Sequence, residues 1–237
     1  MNSLSVMKLK SIKKLSISFF SVATLISILV SGCNGNASNL LANIESVYVQ
    51  DFENNLDNII GGTRRPFNGS TVIGNFNNDG FDVILENLPK HNHIIVSFDL
   101  FIHDSWDGNL EGVGGPDLWR MIVNPSDTTL DRSLTFETSF SNGGCDSQRC
   151  LQQAFPKSYP YNNAPRSGAT QLMQGLCSYG NLPAGTSLYK IEKSFFHTGG
   201  DLIIRFEDTL TQANTSSPKC DESWSMDNLS IWVADYQ

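Results

Sequence analysis

The amino-acid sequence predicts an all-β protein, an antiparallel β-sandwich, and three observations point to it. Several segments alternate apolar and polar residues with a period of two. The segments are short and separated by clusters of Gly, Asn, Asp, Ser and Pro. No long segment carries helical periodicity after the first 30 residues. Alternation of this kind sets one face of a strand on a core and the other towards water. Many short strands with turn clusters between them indicate a sandwich.

The clearest strand is Ile94 to Ile102, where Ile94, Val96, Phe98, Leu100 and Ile102 share a face opposite Ser97 and Asp99. Phe81, Val83 and Leu85 alternate with Asp82, Ile84 and Glu86. Leu229, Ile231 and Val233 alternate with Ser230 and Trp232. Further strands are expected over Ser46–Glu53, Leu118–Asn124, Leu134–Phe140, Tyr189–Phe196 and Asp201–Glu207. Residues 142–183 break the pattern, with few apolar runs, several prolines and the cysteines Cys145, Cys150 and Cys177. This stretch reads as a long loop excursion from the sandwich, and loops of that length are usually functional or poorly ordered.

The amino terminus reads as an export signal. Lys8, Lys10, Lys13 and Lys14 precede an uncharged, mostly apolar run from Leu15 to Val30, short for a membrane span. The run ends in Val30, Ser31, Gly32 and Cys33, which resembles the bacterial lipobox. That resemblance implies cleavage of residues 1–32 and diacylglycerol on the Cys33 thiol. Residues 33–44 then form a small, polar, flexible tether, and 45–237 a single domain. The expected location is the bacterial cell envelope, at the outer membrane or cell surface, with the membrane as partner through the lipid.

Removing the signal leaves 12 Lys and Arg against 24 Asp and Glu, a net charge of −12. Such a domain disfavours nucleic acid and anionic membrane surfaces and suits calcium binding or plain solubility. Setting Cys33 aside leaves Cys145, Cys150, Cys177 and Cys220, an even number that suits two disulfides in an oxidising compartment. A local Cys145–Cys150 staple is preferred among the three connectivities, leaving Cys177 with Cys220. A zinc site is the alternative.

Near the start of the domain lie Asp51, Phe52 and Glu53, and near its end the stretch Asp221 to Leu229, Asp-Glu-Ser-Trp-Ser-Met-Asp-Asn-Leu. Between them lie Asp-Ser-Trp-Asp-Gly-Asn from Asp104 to Asn109 and Gly-Pro-Asp-Leu-Trp from Gly115 to Trp119. The two ends resemble jelly-roll sandwiches of the MAM and carbohydrate-binding-module type, and the middle motifs, with Phe140 to Asn142 and Ser158 to Pro160, resemble a recurrent module of secreted bacterial proteins. The resemblance covers most of Val47 to Val233, and the cysteine-containing excursion looks like an addition to it. It implies adjacent first and last strands and a structural Ca²⁺ held by Glu53 and Asp227. Ca²⁺ takes six to eight oxygen ligands, so backbone carbonyls would complete the shell.

Asp104, Asp107, Asn109, Glu111 and Asp117 form a second acidic cluster, a further calcium candidate through Asp104 and Asp107. Its spacing is not that of an EF-hand; an acidic hairpin loop is the plainer explanation. Trp106, Trp119, Trp224 and Trp232 are the candidate ligand-stacking residues, with Tyr159 and Tyr161 in the excursion. Sugar C–H faces stack on exposed rings while Asp and Asn accept hydroxyl protons, although Trp in a sandwich more often packs. His91 and His93 would share a strand face; His103 and His197 have no evident partner in sequence.

No Gly-x-Ser-x-Gly elbow and no His-Glu-x-x-His zinc motif occurs. Asp221, Glu222 and Asp227 are the carboxylates available to a glycoside hydrolase. The expectation is therefore a surface-displayed binding module, for glycan or a partner protein, stabilised by calcium. A structural envelope protein without a small ligand is the alternative, and a glycoside hydrolase stands behind both.

Overall fold

The computed structural model describes residues 43–112, 114–125, 135–212 and 215–236. The signal, Cys33 and the tether up to residue 42 lie outside the described residues.

Two antiparallel sheets stack face to face. The strands in chain order are β1 (Asn43–Gln50), β2 (Ile59–Ile60), β3 (Arg64–Phe67), β4 (Ser70–Phe76), β5 (Gly80–Leu85) and β6 (His93–Asp104). They continue as β7 (Leu118–Val123), β8 (Thr135–Ser139), β9 (Gln171–Met173), β10 (Thr186–Phe196), β11 (Leu202–Thr209) and β12 (Glu222–Asp235). A four-residue helix, α1 (Pro218–Asp221), leads into β12. The larger sheet runs β3-β4-β12-β6-β10-β9, with β1 also paired to β12, and the smaller runs β2-β5-β11-β7-β8. A jelly-roll β-sandwich fits this architecture, and the first strand does lie beside the last, from Asn43 opposite Asp235 to Gln50 opposite Leu229.

The period-two pattern decides what is buried. Ile94, Val96, Phe98, Leu100 and Ile102 of β6 all turn into the core, as do Phe81, Val83 and Leu85 of β5 and Leu202, Ile204 and Phe206 of β11. Each fully buried aliphatic or aromatic side chain contributes about 1.5–3 kcal/mol of transfer free energy. At one end of the core the rings of Phe76, Phe98, Trp119, Phe206 and Trp224 interlock, with Phe76 and Trp224 centroids 4.5 Å apart.

β12 reaches further back than its alternation suggests, through Glu222, Ser223 and Trp224, because β6 pairs it along its whole length. Its first half pairs with β4 and its second half with β1. The changeover falls at a bulge where Asn228 takes φ 53°, a backbone region in which Asn is one of the few tolerated side chains. The β3–β4 hairpin turns on Asn68 and Gly69, both at positive φ, as a two-residue hairpin turn requires.

The excursion folds back onto the sandwich. Phe155 packs in the core against Phe140 and Tyr189. Gln153 Oε1 accepts from the backbone N–H groups of Ser141 and Arg166, and Asn142 Nδ2 donates to the carbonyls of Ile102 and Asp104. β9, inside the excursion, adds a strand to the edge of the larger sheet. Cys145 is joined to Cys150 and Cys177 to Cys220, so the excursion is stapled both to itself and to α1.

Candidate functional site

The outer face of the larger sheet, the side turned from the core, carries a second apolar cluster. Phe101 alternates with core-facing Leu100 and Ile102, Leu188 with Tyr189, and Val72 with Ile73. With Met173 and Phe67 they form a patch separate from the main core. A groove of about 420 Å³ opens beside it. Phe67, Val72 and Leu176 supply apolar wall, His103 and Ser225 lie at its floor, and the Cys177–Cys220 bridge closes one side. Asn75, Arg65 and Lys219 stand around it.

The floor is rigid and uncharged. His103 Nδ1 lies 3.0 Å from Thr186 Oγ1 and Nε2 lies 2.6 Å from Ser225 Oγ. The Phe67 ring meets its imidazole edge-on at 4.7 Å. Burial pushes the imidazole down to about 3, so it is neutral at physiological pH. Asn75 Nδ2 reaches the Lys219 carbonyl and Ser223 Oγ, tying α1 to β4 at the groove's edge.

Two residues before Val72, Ser70 sits between the predicted calcium ligands. Its Oγ lies 2.8 Å from Glu53 Oε1 and 3.0 Å from Asp227 Oδ2. The two carboxylates are thus within about 6 Å of each other, close enough for one ion at ordinary Ca²⁺–oxygen distances. A hydroxyl has one proton and cannot donate to both. Burial, Asp99 and Glu53 together hold the Asp227 carboxyl above its ordinary range, whereas Thr71 N–H and Ser70 draw Glu53 down. This donor set fits a cation. Among the described residues, no group of three or more His, Cys, Asp and Glu side chains converges in metal-binding geometry, so backbone carbonyls and water would have to complete the shell.

The second acidic cluster does not assemble as its sequence spacing suggests. Asp104 turns to the excursion, where its Oδ1 accepts from the N–H groups of Cys177 and Tyr179; its Oδ2 is buried without a partner. Asn109 binds the Tyr161 carbonyl and Asn162, and Glu111 is exposed. Only Asp107 and Asp117 stay together, the Asp107 N–H donating to Asp117 Oδ2 at 2.5 Å. They are joined instead by residues more than 100 positions away, because β6 pairs with β12 and sets Asp104 opposite Glu222. Asp107, Asp221 and Glu222 line a second cleft of about 420 Å³ with Arg149, Tyr179 and Gln212. Burial raises the Asp117 and Glu222 carboxyls well above the ordinary carboxylate range, and the neighbouring carboxylates push in the same direction.

The tryptophans correct the stacking expectation. Trp106, Trp119 and Trp224 are fully buried. Trp119 shares its strand face with Met121 and Val123, and Trp224 with Met226, so the periodicity that buries those residues buries the rings too. Trp106 Nε1 donates to the Ser223 carbonyl and Trp224 Nε1 to Asp208 Oδ1. None of the three presents a ring to a ligand. Trp232 is half-buried on β12, between Ser46 of β1 and Ile95 of β6.

The histidines lacking sequence partners find them here. His91 and His197 stack 7° from parallel, with His91 Nε2 2.7 Å from His197 Nδ1. The Pro89 carbonyl fixes the proton on His91 Nδ1, so His197 Nδ1–H donates to His91 Nε2, and His197 Nε2 accepts from Asn124. His91 and His93 do not act as a pair; His93 meets Asn92.

A scan against protein-family models returns no match, and no curated protein matches the chain. Among the described residues no helix is long and apolar enough to cross a membrane.

Proposed function

We propose that this chain is an exported, lipid-anchored binding module that holds a glycan in the groove on the outer face of its larger sheet, with calcium between Glu53 and Asp227. The observation that carries the reading is the groove itself. The apolar cluster on this face is itself covered, and the concavity beside it opens on the part-exposed Phe67 and the exposed Leu176; small-ligand sites combine such an apolar wall with a few convergent polar groups. Phe67 and Leu176, with Val72 packed behind them, would take the C–H face of a sugar ring; Asn75 would meet its hydroxyls. The lysine-rich, apolar, small-residue run ending at Cys33 supports export and anchoring.

Glycan-array binding by the full chain, with and without EDTA, tests the reading. Phe67→Ala should weaken binding without unfolding the protein, and so should EDTA. Binding undiminished in Phe67→Ala would place the ligand elsewhere. Loss of palmitate labelling in Cys33→Ser checks the anchor.

A second reading, glycoside hydrolysis, draws on the acidic cleft, where a Glu222 carboxyl kept protonated by burial has the property of a general acid. Polysaccharide turnover that Glu222→Gln abolishes would favour it.

A further inference from the structure

The charge around the groove is the reverse of the charge on the molecule. The domain carries 24 carboxylates against 12 Lys and Arg, yet no Asp or Glu lines this groove and two cations do, Arg65 from β3 and Lys219 from α1. Both side chains are exposed. Elsewhere in the described domain, Lys90, Arg120, Lys190 and Arg205 meet carboxylates, while Arg64, Arg149, Lys157, Arg166 and Lys193 form no ion pair. Neither Arg65 nor Lys219 has an ion-pair partner among the described residues. The Arg65 guanidinium donates through Nε to the Gly74 carbonyl at 3.2 Å, which orients the group and leaves its two terminal nitrogens for a ligand.

Each cation is held by the fold. Arg65 lies on a strand paired to β4 directly opposite Val72, a wall residue of the groove. Lys219 sits one residue before Cys220, on the turn that the disulfide ties to Cys177, and its carbonyl is within reach of Asn75. His103 between them is neutral, so the positive charge is at the rim and the floor is apolar and hydrogen-bonding.

We infer that the groove selects an acidic glycan, one whose sugar carries a ring carboxylate, with Arg65 and Lys219 taking the carboxylate and Phe67 and Leu176 taking the ring. The inference rests on the glycan reading above and narrows it. A guanidinium fork matches a planar carboxylate in two parallel hydrogen bonds, while an ammonium supplies a point charge beside it. A neutral sugar would leave both cations unused, and an acidic protein gains nothing in solubility from two of its few cations at the mouth of an apolar groove.

The test is an array of neutral, hexuronate-bearing and sulfated glycans probed with the full chain in detergent. Titration then follows, with the best hexuronate-bearing ligand and its carboxyl-reduced form. Hexuronate binding is expected, falling on the order of tenfold in Arg65→Gln, in Lys219→Gln and on carboxyl reduction. Phe67→Ala should weaken the acidic and reduced ligands alike. Binding confined to neutral or sulfated glycans overturns the acidic-sugar inference and leaves the glycan reading standing. So does undiminished binding of the acidic ligand to Arg65→Gln and Lys219→Gln variants of unchanged melting temperature. Absence of binding to every glycan overturns both.

Discussion

The Cys177–Cys220 bridge spans a sequence separation of 43 and the Cys145–Cys150 bridge a separation of 5. In the chain-entropy account, a cross-link stabilises by restricting the unfolded chain, more so for a longer loop. For these two lengths it gives about 4 and about 2 kcal/mol at 25 °C. Cys177→Ser/Cys220→Ser should therefore lose about twice the stability lost by Cys145→Ser/Cys150→Ser. For a domain near 200 residues, 1 kcal/mol moves the melting temperature by about 2–4 °C, so the first pair should fall by about 8–16 °C and the second by half as much. The longer bridge has local consequences too. It fixes the segment whose Cys177 and Tyr179 N–H groups hold Asp104, and the Ser178 N–H donates to the Cys220 carbonyl. Chemical denaturation of both variants with linear extrapolation measures the difference. If the short-loop variant loses as much stability as the long-loop one, loop entropy is not what these bridges contribute. The same long-loop variant should also lose ligand affinity, because the bridge is one wall of the groove.

Three further outcomes follow from the charged and titrating groups. Burial and His91 lower the His197 imidazole, so the fold favours its neutral form. That stability is full above the ordinary histidine value of about 6.5 and is lost as pH falls below it. The melting temperature should drop between pH 7.5 and pH 5, and His197→Asn should flatten the slope; an unchanged slope would show that the histidine stack is not the source. Glu222 has the opposite sign. Its folded carboxyl is raised, so its contribution is present below about 4.3 and is lost as pH rises through the raised value. In EDTA, Glu222→Gln should therefore be more stable than the parent at pH 8, on the order of 1–3 kcal/mol, with the advantage gone at pH 4. Calcium at a hundredfold excess over its dissociation constant should stabilise the parent by about 2.7 kcal/mol. Asp227→Asn and Glu53→Gln should each remove that gain; a calcium shift that persists in both would move the ion away from Ser70.

The sandwich was legible because apolar residues recur with period two along the core face of most of its strands. β5, β6, β7, β10 and β11 lie within two or three residues of where alternation sets them. The groove was not legible, for two physical reasons. Its wall strand β3 is four residues long and contains Pro66, which has no N–H to give a ladder and belongs on a sheet edge. The signal that would have found it is Asn68-Gly69, a strong short-range mark of a hairpin. The loop motifs around the tryptophans suggest exposure, although Trp119 shares a face with Met121 and Val123 and so belongs inside; Trp106 lies between strands, where periodicity carries no information. Glu53 and Asp227 were legible through a resemblance of chain ends, and Ser70, which brings them together, gave no sign. The acidic cleft joins Asp107 and Asp117 to Asp221 and Glu222 through strand pairing over more than 100 residues, a distance at which spacing carries no information.

β12 also has a mechanical meaning. The chain enters the domain at Asn43, opposite Asp235, while Ser225 at the groove floor lies ten residues back along the same strand, roughly 33 Å at ordinary strand rise. If the proposed anchor and ligand site hold, a load between the tethered amino terminus and a captured ligand runs along β12 and β1. It would strain the rungs from Asn43 to Gln50 in parallel, not peel them one at a time. The β1–β12 ladder is then the grip of the molecule. Interrupting that ladder, by proline at a β1 position whose N–H donates to β12, should lower the force at which a bound particle is torn free more than it lowers the affinity at rest.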